Sequence, residues 1–298
     1  MPRASVPAAD ALLDRPIPVL DHGFVRLVDY LGGDDRIVQS ARVSYGAGTK
    51  SVREDAALID YLLRHAHTSP FEQVVLTFHL KMPIFVARQW MRHRTARANE
   101  ISGRYSLLPN EFYLPEPEQL RPQSTTNKQG RADHAVPPEQ AARILELLRA
   151  GQSERYAEYA SLIEEGLARE LARTHLPLSL YTEMYWQIDL HNLMHFLRLR
   201  SDAHAQEEIR AYARELVRCA RAVAPVAVEA FEEHVLHGRR LSRRELDLVR
   251  GALDVDRFRA ALAESGLRRT RRRELLAKLG LEEAPAGDGR ERAGGSGR

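Results

Sequence analysis

Arg92-His-Arg-Thr-Ala-Arg-Ala-Asn-Glu-Ile-Ser-Gly-Arg-Tyr105 packs four arginines, a histidine, an asparagine, a glutamate and a serine into fourteen positions. The run follows directly on Pro83-Ile-Phe-Val-Ala-Arg-Gln-Trp-Met91, an apolar segment that needs burial. A cationic run attached to a buried element is what a polyanionic ligand requires. Each guanidinium presents a planar fork of donors that matches phosphate or carboxylate oxygens two at a time. A lone arginine on a helix is ordinarily a solvated charge on a snorkelling stem. Arg92, Arg94 and Arg104, interleaved with Asn99, Glu100 and Ser102, fit no amphipathic pattern, and such departures mark functional sites.

Outward from this run the chain alternates element types. Gly23 to Leu31 is rich in β-branched and aromatic residues, is bounded by glycines and reads as a strand. Asp34 to about Val43 reads as a helix with an acidic first turn. Leu58, Ile59, Leu62 and Leu63 give helical spacing to a segment ending near His65. Phe71 to Leu80, with Leu76, Phe78 and Leu80 alternating, predicts a strand with one buried face. Pro83 then opens a helix expected to reach His93, with Arg88 and Arg92 four apart on one side. Residues 121–138 are polar and turn-rich and predict a mobile loop. From Pro138 to about His234 the pattern reads as mostly helical, broken near Leu176-Pro177 and at Pro225. Strands early and helices late give an α+β fold.

Composition narrows the setting. The 298 residues suffice for a substantial core, and no apolar run approaches a membrane span of about 20 residues. The N-terminus lacks a signal peptide's apolar stretch, and a single cysteine, Cys219, fits a reducing, cytoplasmic setting. Net charge is +3, but residues 238–298 hold 16 Lys/Arg against 10 Asp/Glu, so the basic character belongs to the tail. Leu241-Ser-Arg-Arg-Glu245 is a capping box opening a short tail helix, and Arg268 to Leu279 reads as a second, basic one. The Gly/Arg/Glu composition beyond Pro285 predicts disorder. The arginine pairs of the tail could track nucleic-acid phosphates, but its few aromatics and ten acids favour a solvated appendage or a subunit contact.

A second constellation is Asp189-Leu-His191-Asn-Leu-Met-His195-Phe-Leu-Arg198-Leu-Arg200. Leu190, Leu193, Met194 and Leu197 form an apolar stripe, which predicts a helix packed on one side. His191 and His195 lie four apart on another face. That spacing can hold a metal, yet Asn192 supplies no general base where metalloproteases carry glutamate, and the helix can equally be structural. No metal is expected.

The opening run resembles the signature Arg-His-Arg-x-x-Ser-x-Asn-Glu-x-Ser-x-Arg-Tyr of flavin-dependent thymidylate synthases, the ThyX type. Arg92, His93, Arg94, Asn99, Glu100, Ser102, Arg104 and Tyr105 match, and Arg97 stands at the serine position. A long cation there either alters a ligand contact or faces solvent. The resemblance spans roughly residues 17–237, with no counterpart for the tail. It implies a ThyX-type α+β fold with a mixed core and a large helical portion. The expected division is a catalytic domain over 1–237, a basic helical extension over 238–284 and a disordered tail over 285–298.

The resemblance also implies a reaction and its site. The expected activity is reductive methylation of dUMP to dTMP, with methylenetetrahydrofolate as carbon donor and NADPH-reduced FAD as hydride source. No cysteine nucleophile is expected, since Cys219 lies in a plain helical stretch. Gln89, Trp90, Met91, Arg92, Glu100, Ile101, Ser102, Gly103, Arg104, Arg173 and Arg200 would hold dUMP, with Arg200 also polarising the pyrimidine. Ser44, Ser69, Glu72, Arg92, His93, Arg94, Asn99, Glu100, Asp189, Leu190, His191 and His195 would line the FAD site. The family is homotetrameric with shared active sites, which makes a homotetramer the expected assembly.

Overall fold

The computed structural model describes residues 5–43 and 52–281. A five-stranded, wholly antiparallel sheet lies at its centre in the order β1-β2-β3-β5-β4. The strands are β1 (Ile17–Val19), β2 (Gly23–Leu31), β3 (Val75–Pro83), β4 (Arg97–Glu100) and β5 (Tyr181–Asp189). The first helices are α1 (Pro7–Asp10), α2 (Asp34–Arg42), α3 (Val52–Arg64) and α4 (Ile84–Trp90). They continue with α5 (Pro138–Glu164), α6 (Arg169–Ala172), α7 (Leu190–Arg200), α8 (Glu207–Val223) and α9 (Pro225–Phe231).

One sheet face carries the core. Val25, Leu27, Leu76, Phe78, Leu80, Met184, Trp186 and Ile188 are buried there. Between Leu27 and Asp29 the β2 register shifts, so burial passes from Leu27 to Tyr30 rather than Asp29. Trp90 of α4 packs on Trp186 and on Phe196 of α7, at ring-centroid distances of 5.1 and 4.5 Å. Leu193 and Leu197 of α7 and Ile209, Leu216 and Cys219 of α8 complete this layer. Anchoring α4 and α7 through one aromatic cluster fixes the elements that flank the arginine run.

Several expectations are corrected. The largest concerns Tyr181–Asp189, which falls within the stretch expected to be mostly helical and is the strand between β3 and β4. Its period-two signal is present in the sequence: Met184, Trp186 and Ile188 alternate with Glu183, Tyr185 and Gln187. Strands therefore do not end early in the chain. Phe71–Gln73 is a 3₁₀ turn, and β3 begins only at Val75. Helix α4 ends at Trp90, so Arg88 and Arg92 do not share a helical face. Residues 121–138 do not hang free. The Gln123 amide donates to the carbonyls of Lys128 (3.0 Å) and Gly130 (2.7 Å), and Arg131 pairs with buried Glu208 of α8.

Among the described residues, 239–281 form a compact unit of their own. Helix α10 (Arg243–Ala252) starts with the Ser242/Glu245 capping box, and α12 spans Arg269–Lys278. A third helix between them, α11 (Val255–Glu264), was not anticipated, although Asp254 is its N-cap and Phe258 and Leu262 have helical spacing. The segment read as disordered, 285–298, lies outside the described residues.

Candidate active site

The arginine run leaves the core at Trp90 and returns as an edge strand. Residues 97–100 pair with β5 in the register Arg97↔Gln187, Ala98↔Trp186, Asn99↔Tyr185, Glu100↔Met184. Because successive strand residues face opposite sides, Asn99 and Arg97 lie on the open face with Tyr185 and Gln187. Glu100 takes the core side, where the buried Thr182 hydroxyl donates to its Oε1 at 2.7 Å. The run thus wraps the sheet edge and offers side chains to both faces. Arg97, the departure from the signature, is exposed and makes one long hydrogen bond to Gln187 Oε1 at 3.5 Å.

Arg200, at the end of α7, meets the start of the run. Its Nε donates to His93 Nε2 at 3.0 Å, and a terminal nitrogen donates to the Gln89 carbonyl at 3.2 Å. Burial, then the charges of Arg200 and His195, lower the His93 pKa to about 4. The imidazole is therefore neutral at pH 7 and can accept the Arg200 hydrogen bond. Burial lowers the Arg200 pKa as well, which measures how far this cation is drawn from water. The Gln89 side chain is fixed in turn, its Nε2 donating to Gln206 Oε1 at 2.6 Å. Arg92 and Arg94 contrast with Arg200: both are exposed, and neither side chain has a partner among the described residues.

A third group gathers around Gly103. A Cβ there would stand 2.9 Å from Leu108 Cδ1 and 3.1 Å from Arg173 Cδ, so glycine lets the Arg173 stem lie against the run. Arg104 pairs with Glu170 at 3.1 Å, and its amide donates to Ser102 Oγ at 3.3 Å. Ser102 has no base beside it among the described residues, in keeping with a ligand contact rather than a nucleophile.

The other anticipated residues divide. Asp189 is the N-cap of α7, with its oxygens taken by the Asn192 amide and side chain at 2.9 and 2.7 Å. Leu190 and Trp90 are wholly buried, so their side chains serve packing. His191 and His195 stay partly exposed beside the site, the His93 and His195 rings standing 6.1 Å apart. Ser69 and Glu72 are exposed around the 3₁₀ turn that packs against α7. Met91 and Ile101 are also exposed. Ser44 lies outside the described residues. Sequence reading missed Thr182, Glu170 and Gln206, which sit far along the chain in ordinary-looking strand and helix contexts.

The protein is thus of the α+β class, with Arg92 and Arg94 extended at a sheet edge beside Arg200, which a neutral imidazole holds. The family model described as thymidylate synthase complementing protein matches residues 26–226. A flavin-dependent thymidylate synthase from Treponema pallidum is 57% identical over 278 residues, covering 93% of this chain and 90% of that one. One from Thermus thermophilus is 59% identical over 263 residues, covering 88% and 95%. The crystal structure of a UMP/dUMP methylase from Streptomyces cacaoi bound with 5-Br dUMP aligns at a TM-score of 0.67 and 32% identity, over 75% of this chain and all of that one. The chain belongs to the flavin-dependent thymidylate synthase family. The T. pallidum alignment is too long to fit within residues 1–238, so it runs into the basic tail, and the tail has a counterpart after all.

Proposed function

We propose that the protein reductively methylates dUMP to dTMP, taking carbon from methylenetetrahydrofolate and reducing equivalents from NADPH through FAD. The observation that carries this reading is Arg200, held by neutral His93 and the Gln89 carbonyl at the start of the arginine run. A guanidinium fixed there favours negative charge developing on a pyrimidine without reorganising at the moment of reaction. Gln89, Arg92, Glu100, Ser102, Arg104 and Arg173 hold the nucleotide, joined by the backbone at Trp90, Met91, Ile101 and Gly103. Glu100, oriented by Thr182, accepts hydrogen bonds from the ligand, and the unpartnered Arg92 takes phosphate oxygens.

The residues on the other side suit a dinucleotide carrying phosphates. Arg94 is an exposed cation without a protein partner among the described residues, and Asn99 presents its amide on the open face. His93, His191 and His195, with Ser69 and Glu72, complete that side. The flavin, when bound, supplies the redox chemistry, and the protein contributes binding, orientation and electrostatics. Cys219 supports a route without an enzymatic thiolate: it is buried in α8, and burial pushes its thiol pKa up to about 12. The exposed arginines and the edge strand β4 support sites shared between subunits of a homotetramer.

Tritium release from 5-tritiated dUMP tests the reading. Release should require both NADPH and methylenetetrahydrofolate, and the purified protein should be yellow. Colourless protein that releases no tritium after FAD addition would sink the assignment.

A further inference from the structure

The basic tail uses its charges unevenly. Residues 239–281 hold 13 Lys/Arg against 6 Asp/Glu. Most of the acids are occupied: Glu245, Asp247, Asp254 and Glu274 all have partners. Glu245 closes the capping box with Ser242, Asp254 Oδ1 accepts from the Arg257 amide at 3.0 Å, and Asp247 pairs with Arg250 at 3.6 Å. The cations are largely free: the side chains of Arg243, Arg244, Arg257, Arg268, Arg269 and Arg273 are exposed and have no partner among the described residues. Within 239–281 the cations exceed the acids by seven, and most of the cations stand at exposed positions.

Helix α12 adds to this imbalance. Arginines occupy positions 268, 269, 271, 272 and 273 around its first turn, where no acidic residue stands, whereas α10 and α11 each carry one there. Cations at a helix N-terminus oppose the macrodipole, so this arrangement works against the helix unless anions are nearby. The interior is thin, with Leu262 the one buried hydrophobic residue among those described in the unit. A unit that concentrates cations at the expense of core and helix stability is organised around a polyanion.

The composition selects the kind of polyanion. Phe258 is the only aromatic residue of 239–281. Proteins that grip single strands stack bases on aromatic side chains, which this unit lacks. Membrane-surface helices set a continuous apolar face opposite their cations. In α12 the arginines fill the first half and the leucines the second, and Leu275 and Leu276 are partly buried. We propose that residues 239–281 bind duplex nucleic acid through its phosphates, without reading sequence. The proposal involves no residue of the thymidylate synthase site and stands apart from that assignment.

Fluorescence anisotropy of the full chain tests it, with a labelled DNA duplex and an RNA duplex of the same sequence titrated across a salt series. Wild type should bind at least one of them, with log K falling linearly in log salt by about 0.9 per phosphate contact. Replacing Arg243, Arg244, Arg268, Arg269 and Arg273 together by Gln should flatten that slope by up to about 4.5. The same positions changed to Lys should keep the slope, and tritium release should be unchanged in both variants. Absence of salt-dependent duplex binding by wild type would overturn the proposal, as would equal loss in the Gln and Lys variants. Sedimentation with anionic vesicles without duplex binding would make the unit a membrane surface instead. Comparison of the DNA and RNA arms identifies which duplex is taken.

Discussion

Two sets of arginines flank the start of the same run, and they are held in opposite ways. Arg200 is partly withdrawn from water and fixed by a neutral acceptor and a backbone carbonyl. Arg92 and Arg94 extend without partners among the described residues. Ordering a long side chain costs up to about 2 kcal/mol of conformational entropy. For Arg200 that cost is met by folding; in the proposed reaction its charge would act where charge develops, and for Arg92 and Arg94 the cost would fall due when a ligand binds. Fixed cations suit catalysis and free ones suit capture.

The sharpest break of this contrast is Arg200→Ala. It should lower turnover about a hundredfold or more at saturating dUMP, the usual cost of losing a fixed electrostatic contact. Arg92→Ala should instead raise KM for dUMP about tenfold and leave kcat nearly intact, as expected when a charged hydrogen bond made equally in ground and transition states is lost. Equal losses of kcat in the two variants would show that the distinction has no functional meaning.

His93 is the hinge of the comparison, since only a neutral imidazole can accept from Arg200. Its pKa of about 4 predicts a ring that shows no titration step by NMR between pH 5 and 8. Folding lowers this pKa, so the unfolded chain takes up the proton first. The site's contribution to stability is complete above the ordinary value of about 6.5, erodes as pH falls below it and is fully lost below about 4. A His93 resonance titrating near 6.5 in the folded protein would mean that the imidazole does not hold Arg200.

How much of this was legible in the sequence depended on whether a signal was local. The arginine run announced itself because so many chemical groups crowd a segment that matches no period. The α7 stripe and the capping box of α10 were equally plain, each following a local rule that burial or hydrogen bonding then enforced. Strand β5 is hard to see because helices α5 and α8 lie on either side of it along the chain, although Met184, Trp186 and Ile188 alternate clearly. The early end of α4 and the split of Asn99 from Glu100 depend on β4 pairing with a strand more than eighty residues away. No local pattern encodes that pairing. Arg173 could be named from its resemblance, but its place against Gly103 needed the fold.

Gln206 tests whether fixing extends beyond Arg200. With Gln89 Nε2 donating to Gln206, the side-chain oxygen Oε1 of Gln89 is left to accept from a ligand, while its backbone carbonyl stays with Arg200. Gln206→Leu removes that orientation and should raise KM for dUMP a few-fold, about the worth of one neutral hydrogen bond, with kcat unchanged. An unchanged KM alongside a clear defect in Gln89→Leu would show that Gln89 orients itself.

The smallest effect is expected at Cys219, and its smallness is informative. The residue is wholly buried in α8 with a thiol that stays protonated at neutral pH, so it behaves as a small hydrophobe. Cys219→Ala should cost about 1 kcal/mol of stability, read as a lowered denaturation midpoint, and leave tritium release per folded molecule unchanged. If release collapsed while the fold survived, a thiolate would be attacking the pyrimidine. The division of labour between fixed and free arginines would then describe binding alone.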